Sequence, residues 1–251
     1  MDNLSLALTF SLVLVAIAIS RQERLGLEKE LLIGSFRAVV QLTTIGFVLT
    51  YVFDAASPWL TTLLLVLMVY NATAVAAKRG QGIAGVRMIS YVAMAAGLAV
   101  TLSVLVAFGT VQYQPSQVIP ISGMIVGNAM VALGIAFGRL KDGFRQRRDE
   151  VEAKLCLGAP PLEAARSLVQ DSVRAAMLPT VDSMKTVGIV QLPGMMTGLI
   201  LAGASPLLAI KYQIMVSFML AGAVAIAAFI ACFAAYRRFF TAFDQLLDPH
   251  E

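Results

Sequence analysis

Long apolar runs separated by short polar segments make up most of the sequence. A helix needs about 20 apolar residues to cross the hydrocarbon core of a bilayer, and seven stretches are close to that length. They cover residues 4–20, 31–53, 59–77, 88–109, 117–138, 183–203 and 212–236. The pattern predicts an all-α polytopic membrane protein with about seven transmembrane helices, which form a single transmembrane domain over residues 1–251.

The composition agrees with a membrane protein. Hydrophobic residues make up 59% of the chain and charged residues 14%, whereas soluble domains carry roughly 25% charged residues. Two cysteines, Cys156 and Cys232, and one histidine, His250, are too few for a disulfide framework or a Cys- or His-based zinc site. No basic residue precedes the first apolar run, so we expect it to be a retained span and not a cleaved signal peptide.

The basic residues predict the orientation in the membrane. The loops at 21–30 and 78–87 and the segment after the last span contain Lys and Arg, whereas the loops at 54–58 and 110–117 contain none. All but two of the 19 basic residues, Arg37 and Lys211, fall on one side of the predicted topology. Because basic loops stay in the cytoplasm, we expect the N-terminus outside and the C-terminus inside. No pattern of basic and aromatic residues suggests nucleic acid as a partner.

The predicted spans contain essentially no carboxylates. Ion-coupled carriers usually keep ionisable groups at mid-depth of the membrane, so this composition counts against a stand-alone secondary carrier without excluding it. A membrane enzyme is disfavoured because the sequence has neither H-E-x-x-H nor G-x-S-x-G.

Residues 139–182 form a long polar segment that we expect on the cytoplasmic side as a helical hairpin between the fifth and sixth spans. Gly158 is a typical residue to end a first helix, and Pro160–Pro161 suit the first turn of a second. We expect Pro179 to end that second helix. Its apolar stripe at helical spacing comprises Leu162, Ala165, Leu168, Val169, Val173 and Ala176.

The segment EAKLCLG in this hairpin resembles a motif of ABC-transporter permeases. That motif consists of Glu-Ala-Ala, three residues and Gly, with a later Leu-Pro, and it docks in a groove of the ATPase subunit. Lys154 departs from it at the third position, and Leu178–Pro179 come about eight residues later than in the family. The ATPase-coupling residues that the resemblance implies are Glu152, Ala153, Lys154, Gly158, Ala159, Pro160, Leu178 and Pro179.

The wider sequence is similar to one narrower family, the bacterial iron-export ABC permeases, which are related to plant proteins linked to aluminium tolerance. The stretches that carry the resemblance are 36–42, 123–130, 150–159, 177–206 and 212–214. It implies a multi-pass half-transporter of the bacterial inner membrane that pairs as a homodimer and exports a metal ion, with iron as the expected ion. These 251 residues contain no G-x-x-x-x-G-K-[ST] phosphate loop, so ATP is expected to bind a separate ATPase subunit and no cofactor is expected in this chain.

Polar residues within the spans are candidates for the translocation path. Arg37, Gln41 and Thr44 share one face of the second span because of their spacing. Arg37 either extends to the lipid headgroups or faces the bundle interior, since an unpaired charge in lipid costs roughly 2.5–3.5 kcal/mol. Asn128 is a further candidate, although such an asparagine, like Asn71, more often hydrogen-bonds a neighbouring helix.

The sixth predicted span is rich in helix-breaking residues. We expect a kink at Pro193, and broken helices at membrane depth line cavities or lie buried in protein. Gln191, Pro193 and Met195 are therefore expected to line the path on a moving helix that connects to the hairpin through Pro179, with a purely structural kink as the alternative. Met195 offers a thioether, which suits Cu(I) better than iron and more often only fills space.

The substrate remains open at this level. Iron follows from the resemblance alone, because iron prefers carboxylate or imidazole ligands and the predicted spans offer neither. A small organic or nucleotide-sugar substrate, which the Arg37 face would receive as an anion, is an alternative. The metal-binding residues are therefore undetermined from the sequence.

Overall fold

The protein is all-α, as the apolar pattern predicts. The computed structural model describes residues 8–55 and 57–247, and within those ranges it has no β-strand. The helices are α1 (Ser11–Gln22), α2 (Glu28–Ala55), α3 (Pro58–Arg79), α4 (Val86–Ala107), α5 (Pro115–Gln146), α6 (Arg148–Cys156), α7 (Pro161–Thr186), α8 (Gly194–Leu201) and α9 (Pro206–Ala235), followed by the 3-10 helix Tyr236–Phe239.

Proline begins four of these helices, α3, α5, α7 and α9. The first helical N–H groups have no partner within the helix, so proline loses nothing there, and its fixed φ already suits the helix. At α9 the hydroxyl of Ser205 adds a cap by accepting a hydrogen bond from the backbone N–H of Leu208 at 3.3 Å. The positions of these prolines in the sequence therefore determine where the four helices begin.

The helices fall into two compact units, one holding α1 and α2 and the other beginning at α3. In the first unit, Ser20 fixes the connection between its two helices. Its hydroxyl accepts a hydrogen bond from the N–H of Leu27 at 3.1 Å and donates one to Glu28 Oε1 at 3.0 Å. The chain turns between them with positive φ at Arg24 and Gly26.

In the second unit, α5 lies at the centre and packs against α3, α4, α7 and α9. Its side chains Ile125, Leu133, Phe137 and Leu140 are completely buried. The helices α4 and α9 approach closely at Gly97, where an added Cβ would lie 3.0 Å from the backbone oxygen of Ala223. Close approach matters because van der Waals packing drives helix association in lipid.

Five of the predicted spans coincide with helices that are long and apolar enough to cross a membrane, namely α2, α3, α4, α5 and α9 with its 3-10 extension. The first predicted span corresponds to α1, which has 12 residues. Residues 4–7 of that prediction lie outside the described residues, as does His250. The count of seven spans and the orientation stay predictions.

The prediction of one kinked helix over residues 183–203 is wrong. Helix α7 continues through Pro179 and ends at Thr186, and after a break α8 has only 8 residues, about 12 Å at 1.5 Å per residue. Pro179 does not end α7: the helix continues to Thr186, and its buried residues, which all precede the proline, attach it to the core, where it packs against α5 and α9. The break begins at Val187, which has an extended backbone, and continues at Gly188, whose φ of +82° is left-handed and cannot continue a right-handed helix.

Candidate functional site

The turn between α6 and α7 is built as predicted, with Gly158 ending one helix and Pro161 beginning the next. Gly158 has a φ of +87°, and its N–H donates to the carbonyl of Leu155 at 2.9 Å. The N–H of Ala159 donates to the carbonyl of Lys154 at 3.0 Å. This pair of bonds is the Schellman arrangement, which satisfies the last free carbonyls of a helix. Pro160, in an extended conformation, then directs the chain into α7.

Two ion pairs run along α6 toward the turn. Arg148 Nε lies 2.7 Å from Glu152 Oε1, and Lys154 Nζ lies 2.6 Å from Glu150 Oε1. The hydrogen bond from Lys154 and its positive charge lower the pKa of the Glu150 carboxyl. Lys154, which departs from the permease motif, is thus directed back along α6 and away from the turn.

The tip of this turn is apolar and open. Leu157 is 88% exposed, and Ala153 is exposed one turn before it. Single exposed apolar residues are ordinary on protein surfaces. Here, however, the turn borders a groove of about 820 Å³ that is lined in part by a second exposed apolar residue, Phe243. We call this groove, lined by residues of 152–161 and by residues 243–246, the turn groove.

Residues 240–247, which we call the C-terminal segment, form the other wall of the turn groove. Arg148 Nη1 donates to the carbonyl of Leu247 at 2.8 Å, and Arg237 Nη1 lies 2.6 Å from Asp244 Oδ1. Phe240 is buried and packs edge-on against Phe144 of α5, with ring centroids 5.8 Å apart. The segment is therefore held against α5 and α6, and Phe243 projects from it with 85% of its surface exposed.

Sequence reasoning missed the C-terminal segment. Its one sequence signal is the aromatic trio Phe239, Phe240 and Phe243 directly after a basic pair, which is unusual for a solvated tail. Arg148 connects the two walls, since it bonds both Glu152 on α6 and the carbonyl of Leu247.

The structure does not bring Leu178–Pro179 to the turn. Both residues lie on α7, more than four helical turns beyond Pro160, which is roughly 27 Å along the helix axis. Leu178 lines a different groove, between α7 and α9. The two parts of the permease motif are therefore separated, and only Glu152 to Pro160 surround the turn.

The apolar stripe predicted for α7 is largely buried. Ala165, Leu168, Val169 and Ala176 are buried, while Leu162 is exposed and Val173 is half-buried. Leu168 packs against Gly143 of α5, where an added Cβ would lie 3.2 Å from it. The stripe attaches α7 to the membrane helices, so the turn cannot move independently of them.

The break after α7 is an ordered turn. Gln191 Nε2 donates to Ser183 Oγ at 3.0 Å and to Thr186 Oγ1 at 3.3 Å, and the N–H of Gly188 donates to the carbonyl of Gln191 at 2.9 Å. Pro193 directly precedes the first residue of α8, so it starts a new helix and does not kink a continuous one. Met195 is half-buried against the core, consistent with a space-filling role.

The asparagines are not placed as expected. Asn71 Nδ2 donates to the carbonyl of Leu67 at 3.0 Å, and Asn128 Nδ2 donates to that of Met124 at 2.8 Å. Both bonds stay within one helix, so the predicted bonds between helices are wrong. In each case the acceptor is the carbonyl four residues earlier in the same helix, one turn away, so the amide is satisfied locally.

Arg37, Gln41 and Thr44 lie on α2 in the first unit with exposed side chains. Thr44 Oγ1 donates to the carbonyl of Val40 at 2.8 Å. Across residues 8–55 and 57–247, no group of three or more His, Cys, Asp or Glu residues is arranged to hold a metal ion.

Comparison with known proteins gives matches over almost the whole chain. The profile of the family described as "Uncharacterised protein family (UPF0014)" matches residues 3–240. The chain is 47% identical to the "Probable iron export permease protein FetB" of Escherichia coli, over 98% of this chain and 95% of that protein. It is 40% identical to the "UPF0014 membrane protein STAR2" of rice, over 95% and 84% of the two chains.

A second plant relative is the "Protein ALUMINUM SENSITIVE 3" of Arabidopsis thaliana, which is 36% identical over 93% of this chain and 86% of that protein. No solved structure matches the chain.

Proposed function

This chain belongs to the UPF0014 family, and we propose that it is the membrane permease subunit of an ABC exporter. In this proposal two copies of the chain form the translocation path in the bacterial plasma membrane, and two separate ATPase subunits bind and hydrolyse ATP. The exported substrate is a metal ion, with iron as the first candidate.

The turn between α6 and α7 is the observation that carries the proposal. It joins a helix closed by left-handed Gly158 to a helix started by Pro161, and it presents exposed Leu157 beside an open groove. A rigid, apolar projection suits docking, because little conformational entropy is lost when a pre-organised element binds. The buried stripe of α7 provides a mechanical link from that turn to the membrane helices.

Support for the metal comes from the Escherichia coli relative, whose name is "Probable iron export permease protein FetB". The expected path residues of the second unit, Asn128, Gln191 and Met195, offer amide oxygens and one thioether. Hard cations prefer oxygen ligands and soft cations prefer sulfur, so the amide oxygens of Asn128 and Gln191 suit iron better than Met195 does. Arg37, Gln41 and Thr44 remain candidates on the first unit.

The proposal is tested by purifying the protein from native membranes in a mild detergent and identifying the proteins that copurify. Wild type is compared with Glu152→Arg, which reverses a charge at the turn groove and removes one of the partners of Arg148. Asp142→Arg is the matched control, since it makes the same charge change at an exposed site of α5. We expect an ATPase to copurify with wild type and the control and to be lost with Glu152→Arg.

Transport is tested in proteoliposomes that contain the complex, ATP and one metal ion at a time. Stimulation of ATP hydrolysis and export by iron supports the full proposal. Stimulation by an organic anion, and by none of the metal ions, would show that the substrate is not a metal. The proposal of an ABC exporter would stand. Transport by the chain alone, without ATP or an ATPase, would reject the proposal in favour of a secondary carrier.

A further inference from the structure

A second groove, of about 700 Å³, lies between α7 and the last turns of α9. We call it the α7–α9 groove. Its walls are mainly apolar, with Val169 and Val173 from α7 facing Phe229 and Phe233 from α9. The two phenylalanine rings lie against each other with centroids 4.2 Å apart. Such a surface suits a hydrocarbon chain.

Two arginines of α7, Arg166 and Arg174, line the same groove, and both are exposed. They are eight residues apart, which is about 12 Å along the helix and about 80° around it, and both border the groove. Within residues 8–55 and 57–247 neither forms an ion pair, whereas Arg147 pairs with Asp171 of α7 at 2.6 Å. The groove therefore combines two uncompensated guanidinium groups with an apolar floor.

The groove lies where lipid headgroups are expected. Phe229 and Phe233 are in the last two turns of α9, and the basic pair Arg237–Arg238 follows directly. A basic pair at the end of an apolar helix marks the boundary between hydrocarbon and headgroups on the cytoplasmic side. Basic pockets between membrane helices on that side bind anionic headgroups.

We propose that the α7–α9 groove binds an anionic phospholipid of the cytoplasmic leaflet. The headgroup phosphate is bound by Arg166 and Arg174, because guanidinium groups form strong paired hydrogen bonds with phosphate oxygens. An acyl chain lies along Phe229 and Phe233. The lipid would join α7 to α9, so it would stabilise the helix that follows the turn. This inference does not depend on the identity of the transported substrate.

The experiment measures binding of phosphatidylglycerol and of phosphatidylcholine to the purified chain by native mass spectrometry. The test variant is Arg166→Gln with Arg174→Gln. The matched control is Arg139→Gln with Arg145→Gln, which removes the same charge from two exposed arginines of α5. Arg166→Lys with Arg174→Lys keeps the charge, and circular dichroism in neutral detergent verifies that each variant is folded.

We expect wild type to prefer phosphatidylglycerol and the glutamine pair to weaken its binding about 30-fold, which corresponds to about 1 kcal/mol for each arginine. The control should retain the preference, and the lysine pair should retain part of it, because it keeps the positive charge but loses the paired hydrogen bonds of the guanidinium groups. Equal binding of both lipids by wild type, or an unchanged preference in the glutamine pair, would overturn the proposal. Binding of inorganic phosphate as tightly as the lipid would identify a phosphate site without lipid.

A second copy of the chain is the competing occupant. With Cys156→Ser in the background, Gln170→Cys places a thiol at the groove. Rapid formation of a covalent dimer that added phosphatidylglycerol does not slow would assign the groove to a dimer interface and reject the lipid. Slow crosslinking, with protection of the thiol from a maleimide by phosphatidylglycerol, supports the proposal.

Discussion

Replacing Gly158 tests whether the shape of the turn, and not only its composition, sets ATPase docking. Its φ of +87° is left-handed, a conformation that costs other L-residues roughly 1–2 kcal/mol. An added Cβ would meet nothing within 4 Å, so the substitution changes backbone preference without a steric clash. Before it binds the ATPase, the variant can relax into another conformation. Up to the whole of this conformational free energy is then lost from the free energy of docking.

The cost corresponds to a 5- to 30-fold weaker affinity, since about 1.4 kcal/mol is a factor of ten. We expect Gly158→Ala to weaken ATPase binding within this range and Gly158→Val to weaken it further, because a β-branched residue tolerates positive φ least. Gly158→Asn should fall between alanine and wild type, because asparagine adopts this conformation more readily. Binding is measured by biolayer interferometry with the permease in nanodiscs and the purified ATPase in solution.

Gly138→Ala is the control for this series. Gly138 also has open space around an added Cβ, but it lies within α5 with a helical backbone, where alanine is favoured over glycine by up to about 1 kcal/mol. We expect normal ATPase binding by this variant. If Gly158→Val binds the ATPase as wild type does, the turn is not a pre-formed docking element and the reasoning fails.

Three further substitutions probe other parts of the molecule. Phe243→Ser should lower copurification of the ATPase several-fold while Phe108→Ser, at an equally exposed phenylalanine after α4, leaves it unchanged; equal effects would contradict a role for the C-terminal segment. Gly97→Val should lower the thermal stability of the permease by about 1–3 kcal/mol through overpacking between α4 and α9, and an unchanged melting temperature would show that these helices are not closely packed. Pro193→Ala should leave ATP hydrolysis intact and reduce the ions exported per ATP in proteoliposomes, because it alters the start of α8 after the break; normal export would reject a moving role for that region.

The sequence predicted well where one local rule decides the structure. The end of α6 at Gly158 and the start of α7 at Pro161 follow from backbone preferences of single residues, and five spans follow from the length of an apolar run. The buried positions Ala165, Leu168 and Val169 follow from helical spacing, which depends on little else.

The errors arose where tertiary contacts compete with local preference. The sequence favours an end of α7 at Pro179, but the helix, which packs on α5 and α9, continues through the proline, and the break comes at Val187 and Gly188. Asn128 donates to a carbonyl of its own helix and not to a neighbouring helix. Composition alone does not distinguish between these two acceptors. The C-terminal segment reaches the turn through a bond from Arg148 to Leu247, residues 99 apart in sequence, and no short-range pattern encodes that contact.

The length and position of α5 have a mechanical consequence. Its 32 residues extend about 48 Å, well beyond a hydrocarbon core of about 30 Å. Because this unbroken rod contacts α3, α4, α7 and α9 and ends next to α6, any rearrangement of the second unit has to pivot around it. Helix α5 is therefore the fixed frame of the second unit. The helix best placed to move against it is α8, which has only 8 residues and is separated from α7 by the break at Val187 and Gly188.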